Sequence, residues 1–481
     1  MKRVAIVGGG ITGLSAAYYL EKHRQTGIAL DYVVYEAGPR LGGSLLTEHI
    51  EGCVVEGGPD SFLTEKPWAA DLCRDIGLGD QLIPSNDAER KTYILLNNRL
   101  VPIPDGLMFM VPTKILPTVT TRLFSPGTKL QMAKEWFHPP RPAGHDESVA
   151  ALVSRHYGQE MVDRLADPLL SGVYGGEAEK LSVRAVLPRF VEMERTHGSL
   201  GRAMLAARKK MAAHRAAPRP LFTSLRKGMQ QLVDRILERV PDGRFRRNAT
   251  VREIRLASGG WALRTEAGQT EFEHVIVCTP ANIAGSLLEP IDTELGSDLR
   301  QIEYTSSTTV VLAFRKKETA LPAGFGFLVP RAEGKRMLAC TFVQNKFPHR
   351  APPDKVLLRC FLGGARNHGI SGMAEEEIVR ITREELRQIL GLKAEPLFSR
   401  VYKWRGAMAQ YGVGHLERLE RIEQRRRLLS GLALAGNGYR GIGVPDCVRS
   451  GMQAANEAAG VDQAATAAAV NRDPLTSQQV R

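Results

Sequence analysis

The chain has 481 residues, of which 43% are apolar and 24% charged, with a formal charge of +13. These values exclude a minimal single-core domain, a fibrous chain and a wholly disordered one, and leave room for roughly two to four structural units. The charge would suit nucleic acid, an anionic lipid surface or a carboxylate-rich small molecule, or would serve plain solubility.

No zinc-finger spacing, RNA-binding signature or run of five basic residues appears, so no nucleic-acid partner is expected. Six cysteines (Cys53, Cys73, Cys278, Cys340, Cys360 and Cys447) form no C-x-x-C pair. That pattern argues against the usual zinc and thioredoxin spacings and against a disulfide framework, and points to a reducing, cytoplasmic compartment. The eleven histidines are dispersed and no metal site is expected. No apolar run reaches the ~18 residues of a membrane span, so any membrane contact would be peripheral, on the inner face.

The opening stretch Lys2–Val7 reads as a buried strand rather than a signal segment, because it runs directly into glycines. Gly8, Gly10 and Gly13 occupy G-x-G-x-x-G positions and lead into helical spacing at Leu14–Leu20. A second strand, residues 31–36, ends in Glu36, whose carboxylate could accept hydrogen bonds from ribose hydroxyls. Strand, glycine turn, helix, strand and acid in that order predict a Rossmann-type dinucleotide site, with phosphates at the helix N-terminus.

The next residues, Glu36-Ala37-Gly38-Pro39-Arg40-Leu41-Gly42-Gly43, resemble the E-x-x-x-R-x-G-G extension of glutathione-reductase and amine-oxidase type flavoproteins. The resemblance implies FAD, held non-covalently. Arg40 would suit the diphosphate because its planar fork can pair phosphate oxygens. Further along, residues 247–254, 260–264 and 274–280 read as three strands returning to the same unit. Residues 432–437 form another strand, and a helix follows Gly443-Val444-Pro445. In the resembling flavoproteins this helix points its positive end at the flavin. The residues expected to hold FAD are Gly8, Gly10, Gly13, Glu36, Ala37, Arg40, Gly42, Gly43, Gly57, Val251, Gly436, Asn437, Gly443 and Val444.

Four stretches carry a narrower resemblance: Glu56-Gly57-Gly58-Pro59-Asp60-Ser61-Phe62, residues 167–176 (DPLLSGVYGG), residues 326–330 (GFLVP) and Phe347-Pro348-His349-Arg350-Ala351-Pro352. They are similar to the porphyrinogen oxidases of haem biosynthesis, and the likeness runs from residue 1 to about 460. It implies FAD-dependent oxidation of protoporphyrinogen IX or coproporphyrinogen III. A hydride would pass to flavin N5, a pyrrole proton would be lost, and O2 would reoxidise the flavin to give H2O2. The cofactor carries this chemistry, and no residue is assigned as a general base.

The same resemblance implies that Phe361 and Phe325 sandwich one pyrrole, with Thr341 where relatives carry an aliphatic residue. It also implies that the Gly172 backbone approaches the macrocycle N–H groups. Lys66, Arg90 and the neighbouring Lys91 are the candidates for propionate carboxylates, although Thr92 rather than Arg90 fits the family's arginine column without gaps. Each of these residues has an ordinary alternative as core packing or surface charge.

The fold class is therefore α/β. A discontinuous FAD-binding domain (1–84, 221–284, 425–462) would be joined by a mixed-sheet substrate domain (85–110, 285–424). A helical insert (111–220) and a flexible tail (463–481) complete the expected division. In the insert, apolar residues alternate with Lys114, Arg122, Lys129 and Lys134. That pattern suits either a membrane surface or packing on the body. A homodimer and a hand-over to the haem-pathway enzyme that uses the porphyrin are further partner expectations. An amine oxidase or carotenoid-type desaturase on the same fold is the enzymatic rival, and a catalytically silent flavin-binding assembly protein is the other. Against the amine oxidase, Asn437-Gly438-Tyr439-Arg440 offers one aromatic and no cysteine before Cys447.

Overall fold

The computed structural model describes residues 1–108, 110–142, 144–213 and 219–461. The expected tail, 463–481, lies outside the described residues.

Lys2–Val7 is the centre of a five-stranded parallel sheet, ordered Phe245–Arg246, Leu30–Tyr35, Lys2–Val7, His274–Val277 and Leu432–Leu434. The strand is short and β-branched because both of its faces are covered. Val4 and Ile6 pack into one core with Leu14 and Ala455, while Ala5 and Val7 pack into another with Trp261 and Val275. Helices Ile11–Gln25 and Val444–Ala459 lie together on the first face.

The second face is capped by an antiparallel sheet of Glu253–Ala257, Gly260–Thr265 and Gly268–Phe272. Here the structure corrects the strand expected over 247–254. Asn248 takes a left-handed φ of 53°, which breaks an extended run, and the chain pairs with the end of the Leu30–Tyr35 strand instead. Ala249 donates its N–H to the Glu36 carbonyl at 2.8 Å. The strand Gly268–Phe272 was not expected from sequence.

A seven-stranded mixed sheet follows, ordered Phe398–Ala409, Tyr304–Arg315, Lys355–Gly363, Met337–Phe342, Gly326–Leu328, Thr92–Leu96 and Arg99–Pro102. Only the pairing of Gly326–Leu328 with Thr92–Leu96 is parallel. Because side chains alternate, Val310, Phe327, Cys340 and Cys360 share one face and pack on helix Glu375–Leu390 through Ile378 and Leu386. The other face turns Val311, Ala313, Leu357 and Tyr402 toward Cys53 and Val55 of the hairpin Thr47–Ile50/Cys53–Glu56. A helical lobe, including Pro126–Glu135, Val149–Tyr157, Asp167–Tyr174 and Pro188–His197, closes a separate core around Leu152, Tyr157 and Leu165. The α/β architecture, with its nucleotide-type sheet, mixed sheet and helical insert, agrees with the sequence expectation.

Candidate functional site

The glycine turn after Lys2–Val7 is fixed by steric necessity. Gly8 has φ +109°, and a Cβ at Gly13 would lie 1.9 Å from the Gly8 carbonyl oxygen. Gly10 differs, since a Cβ there would meet only Gly43 Cα, at 3.9 Å. Backbone at Gly10 therefore borders open space at the start of helix Ile11–Gln25, where the dipole favours an anion. Glu36 Oε2 accepts from the Gly9 N–H and Oε1 from the Gly38 N–H, both at 2.8 Å, so this acid ties the glycine turn to the loop that follows its own strand.

Beyond Glu36, Ala37 is exposed and Arg40 donates to the carbonyls of Leu41, Gly43 and Leu45. Arg40 thus organises the loop, with Gly42 bridged to Gly10. Val251 is 8% exposed, yet neither its N–H nor its carbonyl makes a hydrogen bond within the described residues. Buried backbone groups are nearly always paired, so this donor–acceptor pair suits a planar polar ring such as adenine. The donor set at the turn, the open flank of Gly10 and the unpaired backbone of Val251 together fit a dinucleotide.

The C-terminal segment converges on the same region. Gly436 donates to Ser450 Oγ at 2.8 Å, and Asn437 is held by its side chain on Ala407 O (2.9 Å) and its carbonyl on Tyr411 Oη (2.6 Å). Gly443 is the N-cap of Val444–Ala459, Val444 is buried, and Pro445 occupies the first turn, where a missing N–H costs nothing. Asp446, 3% exposed, sits in that turn with Lys66 Nζ at 2.6 Å and Arg449 at 3.5 Å. Lys66, a candidate for substrate carboxylates, is therefore engaged at the helix start.

The other substrate candidates divide. In the mixed sheet, Gly326, Thr341, Arg359 and Val311 form one cross-strand row, and Leu328, Ala339, Phe361, Thr309 and Tyr402 form the next. Both rows lie on the face turned toward residues 57–61. A Cβ at Gly57 would strike the Tyr402 ring at 2.7 Å, and Trp404 Nε1 donates to the Gly57 carbonyl at 2.8 Å. Gly172 sits in helix Asp167–Tyr174 over Leu328, whose Cδ2 would be 3.3 Å from a Cβ there. The structure therefore brings Gly57, Thr341, Phe361 and Gly172 around one face. Phe325, 8% exposed, is tied by backbone to Lys91 and Phe342 at the end of the row. Arg90 is exposed in a short turn, outside these rows.

Two stretches noticed only for their family likeness prove to be partners. Glu56 and Asp60 of the first meet Lys346 and Arg350 at the second, with Arg359 between them. Lys346 Nζ lies 3.1 Å from Asp60, and Arg350 lies 3.1 Å from Glu56 and donates to Ser224 Oγ at 2.6 Å. Burial raises the Asp60 carboxyl, but the charges of Lys346 and Arg359 outweigh it and hold Asp60 well below the ordinary range. Burial pushes Glu56 upward, and the Arg350 charge only partly offsets it. Sequence reading missed this group. The concentration of charge inside two otherwise glycine-, proline- and aromatic-rich stretches was the available signal.

The DPLLSGVYGG stretch is similarly explained. Asp167 pairs with Arg366 and accepts from Ala178 N at 3.1 Å, while Gly175 O accepts from Ala365 N at 2.7 Å. These bonds fasten Gly172's helix to the end of strand Lys355–Gly363.

Comparison with known proteins agrees with this geometry. The model of the flavin containing amine oxidoreductase family matches residues 11–459. A coproporphyrinogen III oxidase of Bacillus subtilis is 34% identical over 95% of this chain and 98% of its own length. The chloroplastic protoporphyrinogen oxidase 1 of Arabidopsis thaliana is 30% identical, over 94% and 87%. A solved structure of an Exiguobacterium protein superposes with a TM-score of 0.86 at 31% identity, covering 96% of this chain and 99% of that one.

Proposed function

Because the chain belongs to the flavin containing amine oxidoreductases, and within them to the coproporphyrinogen III and protoporphyrinogen oxidases, we propose that it binds FAD non-covalently and oxidises a porphyrinogen of haem biosynthesis. The observation that carries this reading is the two-way coverage of relatives whose names state that substrate class.

FAD bound there would supply the redox chemistry, a two-electron oxidation of the macrocycle with O2 as the final acceptor. The residues present do the rest. The turn at Gly8–Gly13, Glu36 and Val251 would hold the adenosine diphosphate half, and the start of Val444–Ala459 would serve the flavin end. Phe361, Thr341 and Leu328 offer a largely apolar wall to a flexible macrocycle, with Gly172 adjoining it over Leu328, so orientation supplies much of the rate. Helix Ile115–Thr120 exposes Ile115, Leu116 and Val119, and Phe137 is also exposed, which suits contact with a membrane surface.

Purified protein given coproporphyrinogen III or protoporphyrinogen IX in air should develop porphyrin fluorescence well above the enzyme-free rate. Equal rates would end this reading. Coproporphyrinogen III is the first to try, because the 34% identical relative is named for it. Its four carboxylates against two predict the steeper dependence on salt.

A further inference from the structure

Arg359 stands where the two halves of the site meet, and its surroundings leave its charge under-compensated. The largely buried group of Glu56, Asp60, Lys346, Arg350 and Arg359 holds three cations against two carboxylates. Asp60 is taken more closely by Lys346, at 3.1 Å, than by Arg359, at 3.6 Å. Arg359 donates through Nη2 to the Gly58 carbonyl, lies over the Phe361 ring at 4.7 Å and is 6% exposed. Its Nε is buried with no hydrogen-bond partner among the described residues. A buried charge is costly unless paired, and an arginine does not escape by losing its proton.

Such a charge could serve a substrate carboxylate by contact, or act through space on charge that develops nearby. Burial decides between them. The guanidinium face is covered by Phe361, and its nitrogens are taken by Gly58 and Asp60 or enclosed by protein, so no propionate can chelate it. We propose that Arg359 tunes the bound flavin electrostatically, favouring negative charge on the reduced ring and thereby raising its reduction potential. The proposal rests on the reading that residues 57–58 border the flavin. Gain of a hydride adds one negative charge, and a surplus cation in a dry site stabilises it more than water-screened charge would. Arg359 is in this sense a positioning residue, since it reaches the reacting atoms only through its field.

The test compares wild type, Arg359→Lys and Arg359→Met as purified flavoproteins, with the midpoint potential of the bound flavin read by dye equilibration. Arg359→Met should lower the ratio of reduced to oxidised flavin at fixed potential at least tenfold, about 30 mV for a two-electron couple. Arg359→Lys should recover most of that ratio. An unchanged potential in a flavin-replete Arg359→Met protein would overturn the proposal. So would an unchanged potential with a KM rising more for the tetracarboxylate than for the dicarboxylate substrate, which would assign Arg359 to substrate. Should Arg359→Met not fold, Asp60→Asn, which removes the carboxylate opposing Arg359, should raise the potential, and an unchanged potential there would overturn the proposal. A flavin-free wild-type protein would instead remove the underlying cofactor reading.

Discussion

Lys66 Nζ lies 2.6 Å from the Asp446 carboxylate, joining the segment after the Gly-Gly-Pro stretch to the first turn of the helix Val444–Ala459. Asp446 is almost wholly buried while the Lys66 side chain is 37% exposed, so the lysine works mainly as the counter-ion of a buried acid. Lys66→Met should cost about 1 kcal/mol, since solvent screens the exposed partner. The loss should appear as a lower Tm and weaker flavin retention, with KM for the porphyrinogen little changed. A large rise in KM at constant Tm would return Lys66 to the substrate site.

Two glycines of one turn should fail differently. Gly13→Ala places a methyl 1.9 Å from a backbone carbonyl and should destabilise the protein by about 1–3 kcal/mol. Gly10→Ala meets nothing closer than 3.9 Å and should fold normally, yet lose flavin. The measurements are thermal melting of cofactor-stripped protein and the flavin-to-protein absorbance ratio. Equal loss of flavin-free stability in both variants would contradict the open flank at Gly10.

Acid should release the interior charge group. Asp60 is held below its ordinary value of about 3.9, so its stabilising effect is complete above that pH and is lost as pH falls through the lower folded value. Protonation of Glu56, whose value is raised by burial, works in the opposite sense and partly compensates. Asp60→Asn should flatten the decline of Tm between about pH 5 and pH 2. A variant whose acid limb parallels wild type would show that other carboxylates govern it.

His415 sets a second limb. Its ring stacks on Tyr411 at 4.1 Å, Nε2 meets the Tyr439 carbonyl at 2.9 Å, and Nδ1 is buried without a partner among the described residues. Burial lowers its value, so the unfolded chain takes up a proton near pH 6.5 while the folded chain does not. Stability should therefore fall as pH drops below about 6.5, and His415→Gln should remove that component. Calorimetry of the two proteins across pH 5–8 checks it, and coincident profiles would refute it.

Replacing Ile115, Leu116 and Val119 together by serine should abolish co-sedimentation with anionic vesicles while leaving turnover of dispersed substrate intact. These side chains are 79%, 74% and 56% exposed, so the change should cost little stability. Undiminished vesicle binding would exclude this helix as the contact.

The nucleotide turn is legible in the sequence because its requirement is local. Gly8 and Gly13 must pass within contact of each other five residues apart, and the β-branched strand before them must be buried on both faces. The sequence also carried the family likeness of residues 56–62 and 347–352, but not their reason. That Asp60 meets Lys346, that Lys66 answers Asp446, and that Thr341 and Arg359 share a row with Phe361 beside it follow from the folded arrangement alone. These pairs are hundreds of residues apart or depend on strand register. No local spacing encodes them, because a one-residue slip in register would turn every such side chain to the opposite face.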